Sequence, residues 1–145
     1  MYDSILVATD GSDGATTAVE HAITLARRLE VPLYAIAVLE SRTAYDNAIV
    51  DPEEATQRQR ERAEAALADL ESMAEADGVS AETAIRTGVP HEEIRAYAGE
   101  TDAGAIVIGA RGRSAFTGAL LGSTVDATLR HADRPVLVVD TPSSQ

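Results

Sequence analysis

The chain contains no cysteine, which excludes a disulfide framework, a thiol nucleophile and any cysteine-ligated metal. It contains no lysine either, because all 12 of its basic residues are arginines. That absence excludes the lysine of a Walker phosphate loop, Schiff-base catalysis and serine–lysine catalysis together. No apolar run approaches the roughly 18 residues of a membrane span, and the first residues read as a strand rather than a basic-then-apolar leader. The expectation is a soluble, cytoplasmic chain with no membrane partner. Basic charge is scarce: 24 Asp and Glu leave a formal net charge of -12. Nonspecific nucleic-acid binding draws on a basic surface that releases counterions, so no nucleic-acid partner is expected. An acidic, lysine-free surface has a halophilic character, since high salt screens self-repulsion. A lysine-poor codon bias would give the same composition.

What is present is a rhythm of short apolar runs and amphipathic stretches. A chain of 145 residues suits one domain with its own core, expected over residues 1–141 with residues 142–145 as a frayed tail. Ile5 to Ala8 is a continuous apolar run, the pattern of a strand buried on both faces. Ala15, Ala18, Val19, Ala22, Ile23, Ala26 and Leu29 then recur on one helical face, with Ser12 or Asp13 as the cap. Leu33 to Leu39 reads as a second strand, and Pro52 to about Asp77 as a helix with Ala63, Ala66, Leu67, Leu70, Met73 and Ala74 inward. Ser80 to Arg86 alternates as an edge strand does. Pro90 starts a helix through Ile94, Tyr97 and Ala98. Ala105 to Ile108, Ser123 to about His131 and Val136 to Val139 complete a βαβαβαβαβ order. Such alternation predicts an α/β fold, a parallel sheet wound on both faces by four helices through right-handed crossovers. The one long connection runs from Glu40 to Asp51.

In such sheets a ligand sits beyond the carboxyl ends of the strands, where the strand order reverses. The first and fourth strands end in the least ordinary residues, Asp10 and Gly109. From Ile106 to Asp126 the sequence reads IVIGARGRSAFTGALLGSTVD. Glycines let backbone approach a ligand closely, and a helix opening at Ser123 offers amides and the positive end of a dipole. The combination predicts a phosphate cradle. It is neither the dinucleotide fingerprint, since Gly109-Ala110-Arg111-Gly112 has the wrong first step, nor a lysine-bearing phosphate loop.

The spacing Gly109-x2-Gly112-x9-Gly122-Ser123 resembles the ATP-binding signature of the universal stress protein family. The opening Tyr2 to Ser12 and the close from His131 through Pro135 to Val139 are similar to the family's ends. The resemblance implies a doubly wound five-stranded parallel sheet in the order 3-2-1-4-5, Rossmann-like and of the adenine nucleotide alpha hydrolase type. It also implies a homodimer paired through the last strand. For the site it implies that Gly109, Arg111 and Gly112 wrap phosphates with backbone amides and that Gly122 keeps the loop close. Ser123 and Thr124 would donate hydrogen bonds, Ala8, Thr9 and Asp10 would lie by the ribose and adenine, and the Val38 backbone would read the adenine edge. ATP with Mg²⁺ or Mn²⁺ is the implied ligand.

Plainer readings stand beside these. Asp10 suits a helix cap or a tight turn, and Ser123 suits an N-cap; neither reading excludes ligand contact. Gly118 suits loop freedom, Phe116 packing, and Arg113 a solvated surface. His21, His91 and His131 are far apart in the chain and read as surface or capping residues, with no zinc spacing among them. No nucleophile elbow is present. The expected function is therefore a nucleotide-binding regulator in stress response. A slow Mg-dependent ATPase and a structural dimer acting through unknown protein partners are the alternatives. Val136, Leu137, Val138 and Val139 would leave a bare apolar edge as a monomer, and pairing with a second copy about a two-fold axis covers it.

Overall fold

Strand β1, Ile5–Ala8, is buried along its whole length because it lies at the centre of the sheet with helices on both faces. The structure is a computed structural model and describes residues 2–40, 52–110 and 122–140. After β1 come α1 (Asp13–Leu29), β2 (Leu33–Glu40), α2 (Pro52–Ala76), β3 (Ala81–Gly88) and α3 (Pro90–Thr101). The chain then forms β4 (Ala105–Gly109), α4 (Ser123–His131) and β5 (Val136–Val139). All strand pairs are parallel and the sheet order is β3-β2-β1-β4-β5. The α/β fold read from the sequence is thus present in strand number, helix number and order. The Glu40 to Asp51 connection and the proposed tail lie largely or wholly outside the described residues.

Alternation along the strands builds two cores. Ile5, Val7, Leu33, Ala35, Ala37, Leu39, Val107 and Val139 face α1 and α2, which add Ala18, Ala22, Ile23, Leu67, Leu70 and Ala74. Leu6, Ala8, Ile36, Ile106 and Ile108 face α3 and α4, which add Ile94, Tyr97, Ala98 and Val125. The edge strands are less covered. No residue of β3 is fully buried, and Leu137 of β5 is 42% exposed.

Local signals set the helix ends. The Ser12 side chain accepts a hydrogen bond from the Ala15 N–H at 3.2 Å, so of the two candidates Ser12 is the cap of α1. Helix α1 ends where Glu30 turns left-handed at φ 60 and its N–H reaches back to the Ala26 and Arg27 carbonyls. That turn carries Leu29 out of the inward stripe to which its spacing assigned it, leaving it 42% exposed. Strand β3 runs on to Gly88, beyond the expected Arg86, because β2 continues to Glu40 and pairs with it throughout.

Candidate functional site

The central strand is shorter than its neighbours at its carboxyl end. Thr9 closes the last rung to β2, its N–H donating to the Ile36 carbonyl at 3.0 Å. The chain then folds away. The Gly11 N–H donates to Thr9 Oγ1 at 3.2 Å, the Ser12 N–H donates to Asp10 Oδ1 at 2.9 Å, and Gly11 takes a φ of 81 that favours glycine. Asp10 therefore does close a turn at the head of α1, with its residue exposed. Strand β2 continues past this point to Glu40, while β4 ends at Gly109, level with Thr9. The result is a notch at the switch point, floored by Thr9 to Gly11 and walled by the ends of β2 and β4.

One wall offers unused backbone. In a parallel ladder the N–H and C=O of a residue point to one side of the strand, and the side alternates. Since the Ile36 carbonyl faces β1, the N–H and C=O of Val38 face the notch, and neither meets a backbone partner among the described residues. The next residue facing that way is Glu40, whose N–H donates to the side chain of Gln59 from α2, Oε1, at 3.1 Å. Val38 itself is half-buried.

The other wall is built by glycine. A Cβ on Gly109 would stand 2.8 Å from the Gly14 carbonyl oxygen and 3.0 Å from its carbon, so the first turn of α1 rests directly on the end of β4. Beyond it the Gly122 N–H donates to the Ala110 carbonyl at 2.9 Å, which sets the start of α4 beside the end of β4. Gly122 is the N-cap of α4, in extended backbone, and no side chain among the described residues caps this helix, in contrast to Ser12 on α1. Ser123 is exposed and Thr124 half-buried. An uncapped N-terminus presents amides and a positive dipole end outward.

The fold thus gathers Ala8, Thr9, Asp10, Val38, Gly109, Gly122, Ser123 and Thr124 around the C-terminal rim of β1, β2 and β4. Arg111 and Gly112 lie outside the described residues, as do Arg113, Phe116 and Gly118. Sequence reasoning missed the Gly14 contact and the Gln59 tether, which are long-range and leave no local pattern. It also missed that two of the three histidines meet: the rings of His91 and His131 lie 5.0 Å apart, centre to centre.

Shifted ionisations cluster elsewhere, where α3 crosses the edge strand. Arg86 of β3 makes two hydrogen bonds to Glu100, at 2.7 and 3.2 Å, and lies over the Tyr97 ring, 5.1 Å from its centre. That hydrogen bonding holds the Glu100 carboxyl below its ordinary range, and burial, aided by Glu82, raises the Tyr97 hydroxyl above its own. A hydrogen bond from Arg134 likewise lowers Asp133. A separate open groove between the end of α2 and the start of β3, lined by Glu71, Ser72, Glu75 and Ser80 among others, lies at the opposite rim of the sheet.

An open parallel sheet with a crevice at its switch point defines a doubly wound α/β architecture. Comparison with known proteins narrows the class. The model of the universal stress protein family matches residues 1–140, and the chain belongs to that family. A universal stress protein of Methanocaldococcus jannaschii is 34% identical over 146 aligned positions, spanning 100% of this chain and 86% of that one. The structure of universal stress protein UspA from Lactobacillus plantarum superimposes with a TM-score of 0.84 at 29% identity, covering 95% of this chain and 97% of that one. Two further structures of the family are complexes. One, with cAMP, gives a TM-score of 0.73 at 27% identity, covering 95% and 97%. The other, from Archaeoglobus fulgidus with dAMP, gives 0.69 at 26%, covering 95% and 98%. Among the described residues no helix is long and apolar enough to cross a membrane.

Proposed function

We propose that the notch binds an adenine nucleotide, with ATP as the ligand, and that the chain acts in stress response as a nucleotide-dependent regulatory homodimer. The observation that carries this reading is the pair of walls: a Val38 N–H and C=O with no backbone partner among the described residues, and a helix N-terminus at Gly122 and Ser123 that no described side chain caps. The first is the donor and acceptor that an adenine edge requires, and the second suits phosphate. The cAMP and dAMP complexes of related proteins support it.

In this reading the adenine pairs with the Val38 backbone, while Ala8, Thr9 and Asp10 lie along the base and ribose. The phosphates run toward Ser123 and Thr124, over the segment that holds Arg111 and Gly112. Mg²⁺ or Mn²⁺ would ride on the phosphates, as Mg²⁺ commonly does, and supply charge neutralisation there. The dimer forms through β5, whose outer edge no other strand among the described residues covers.

The test is the thermal midpoint with and without ATP and Mg²⁺. A ligand at a hundredfold excess over its dissociation constant adds about 2.7 kcal/mol to the native state. For this chain length that is a rise of roughly 5–10 °C. The rise is expected in the wild type and should vanish in Gly122→Val, whose extended backbone tolerates valine but whose side chain enters the phosphate path. A folded wild type with no rise for ATP, AMP or cAMP would overturn the proposal.

A further inference from the structure

We propose that His91 and His131 together form a surface site for a divalent transition-metal ion such as Zn²⁺, Ni²⁺ or Cu²⁺. His91 lies in the first turn of α3 and His131 is the last residue of α4. The two helices pack side by side on the same face of the sheet, and that packing brings the two rings to 5.0 Å between centres with 21° between their planes.

The separation has a chemical meaning. An imidazole nitrogen sits about 2.0–2.1 Å from a bound Zn²⁺, which puts the ring centre about 3.2 Å from the metal. Two such rings at a tetrahedral angle have centres about 5.2 Å apart. The observed spacing differs from this by tenths of an ångström, so the two side chains lie within chelating reach of each other. Side-chain rotation alone is needed to turn a nitrogen of each toward a shared ion. The rings now stack, with 21° between their planes, so chelation exchanges this face-to-face contact for an arrangement in which each ring turns a nitrogen toward the ion.

Exposure and charge agree with an exchangeable ion. His131 is exposed and His91 half-buried, so water reaches the open coordination positions. Among the described residues no third His, Asp or Glu completes a cluster, which makes this a two-point site rather than a closed structural one. Imidazole pairs favour Zn²⁺, Ni²⁺ and Cu²⁺ over oxygen-seeking Mg²⁺ or Ca²⁺. The nearby cations are already paired: Arg130 with Asp126 at 2.9 Å and Arg95 with Asp133 at 3.9 Å. The chain's net charge of -12 draws cations generally, and the imidazole pair supplies the selection. Bound there, an ion would cross-link the first turn of α3 to the last turn of α4.

Chelator-treated protein should be titrated with Zn²⁺ and Ni²⁺ by calorimetry, with Mg²⁺ as the oxygen-seeking comparison. Wild type is expected to take up one ion with affinity in the micromolar range, and the binding should weaken as pH falls, because ligand imidazoles must be neutral. His91→Ala and His131→Ala should each weaken binding by roughly tenfold or more, while His21→Ala, on exposed α1 surface, should leave it unchanged. Imidazole ¹H–¹⁵N spectra should show both His91 and His131 shifting with Zn²⁺. Both substitutions fall on incompletely buried side chains, and midpoints of the metal-free variants near that of wild type will show that they fold. Uptake that survives either substitution, or that Mg²⁺ displaces equally well, would place the ion on the acidic surface and overturn the proposal. So would the absence of binding in wild type.

Discussion

At the scale of single residues, the glycines of one motif divide by the reason each position excludes a side chain. Gly109 is constrained by packing: its Cβ would stand 2.8 Å from the Gly14 carbonyl oxygen, in backbone that cannot swing aside. Gly109→Ala should therefore lower the ligand-free midpoint, by an amount equivalent to about 1–3 kcal/mol of overpacking. Gly122 lies in extended backbone that a side chain can adopt, and Gly122→Val should remove the response to ATP. Denaturant melts of the two variants, with and without nucleotide, separate these effects. A loss of nucleotide response in Gly109→Ala at unchanged stability would contradict the packing account. The sequence marked Gly109 by its place at the end of an apolar run, but the partner that makes glycine necessary there is Gly14, from another element. Neither the spacing nor the composition of the motif encodes that contact. Asp10 was legible as a turn residue from its Asp-Gly-Ser context, and its turn is present in the structure.

Elements were the most legible level, because each strand and helix carries its own periodicity. Ile5 to Ala8 read as a doubly buried strand and Ala105 to Ile108 as a strand, and both are buried along their length. The pattern did not carry where strands stop relative to one another, and it is the early end of β1 against β2 that exposes the Val38 backbone. Contacts between elements were also silent. The Arg86–Glu100 pair joins β3 to α3 across a turn, and its two members have no common spacing that would suggest a partnership. Its pH dependence follows from direction alone. The Glu100 carboxyl is lowered in the folded chain, so its contribution is present above the ordinary carboxylate range and is lost as pH falls through the folded value. The midpoint of the wild type should drop more steeply than that of Glu100→Gln when pH is lowered below about 4.5. Superimposable acid profiles would show that the pair contributes nothing to stability. Helix α1 offers a second check on local geometry, because Glu30 holds a left-handed conformation at φ 60 that costs a side chain about 1–2 kcal/mol. Glu30→Gly should raise the midpoint modestly, since glycine adopts that turn without the Cβ penalty.

For the whole molecule, charge and edge exposure act against each other. In the proposed dimer, pairing through β5 would bring together chains of net charge -12 each, while the apolar edge it would cover includes Leu137 at 42% exposure. The apolar term is nearly independent of salt, whereas repulsion between exposed charges is screened over about 10 Å at 0.1 M and about 3 Å at 1 M. Association of the wild type should therefore tighten as KCl is raised, and sedimentation equilibrium at the two salt concentrations measures it directly. Leu137 is the position to alter. Val138 belongs to the core under α3 and α4, so a charge there would damage the fold along with the interface. Leu137→Glu places a carboxylate on the exposed edge without disturbing either core. It should give a monomer at low salt with a near-native midpoint, and leave nucleotide binding to the notch, on the far side of β4 from this edge, intact. A dimer that persists in Leu137→Glu would place the interface on another surface, and one that weakens with added salt would show that ion pairs, rather than the apolar edge, hold it together.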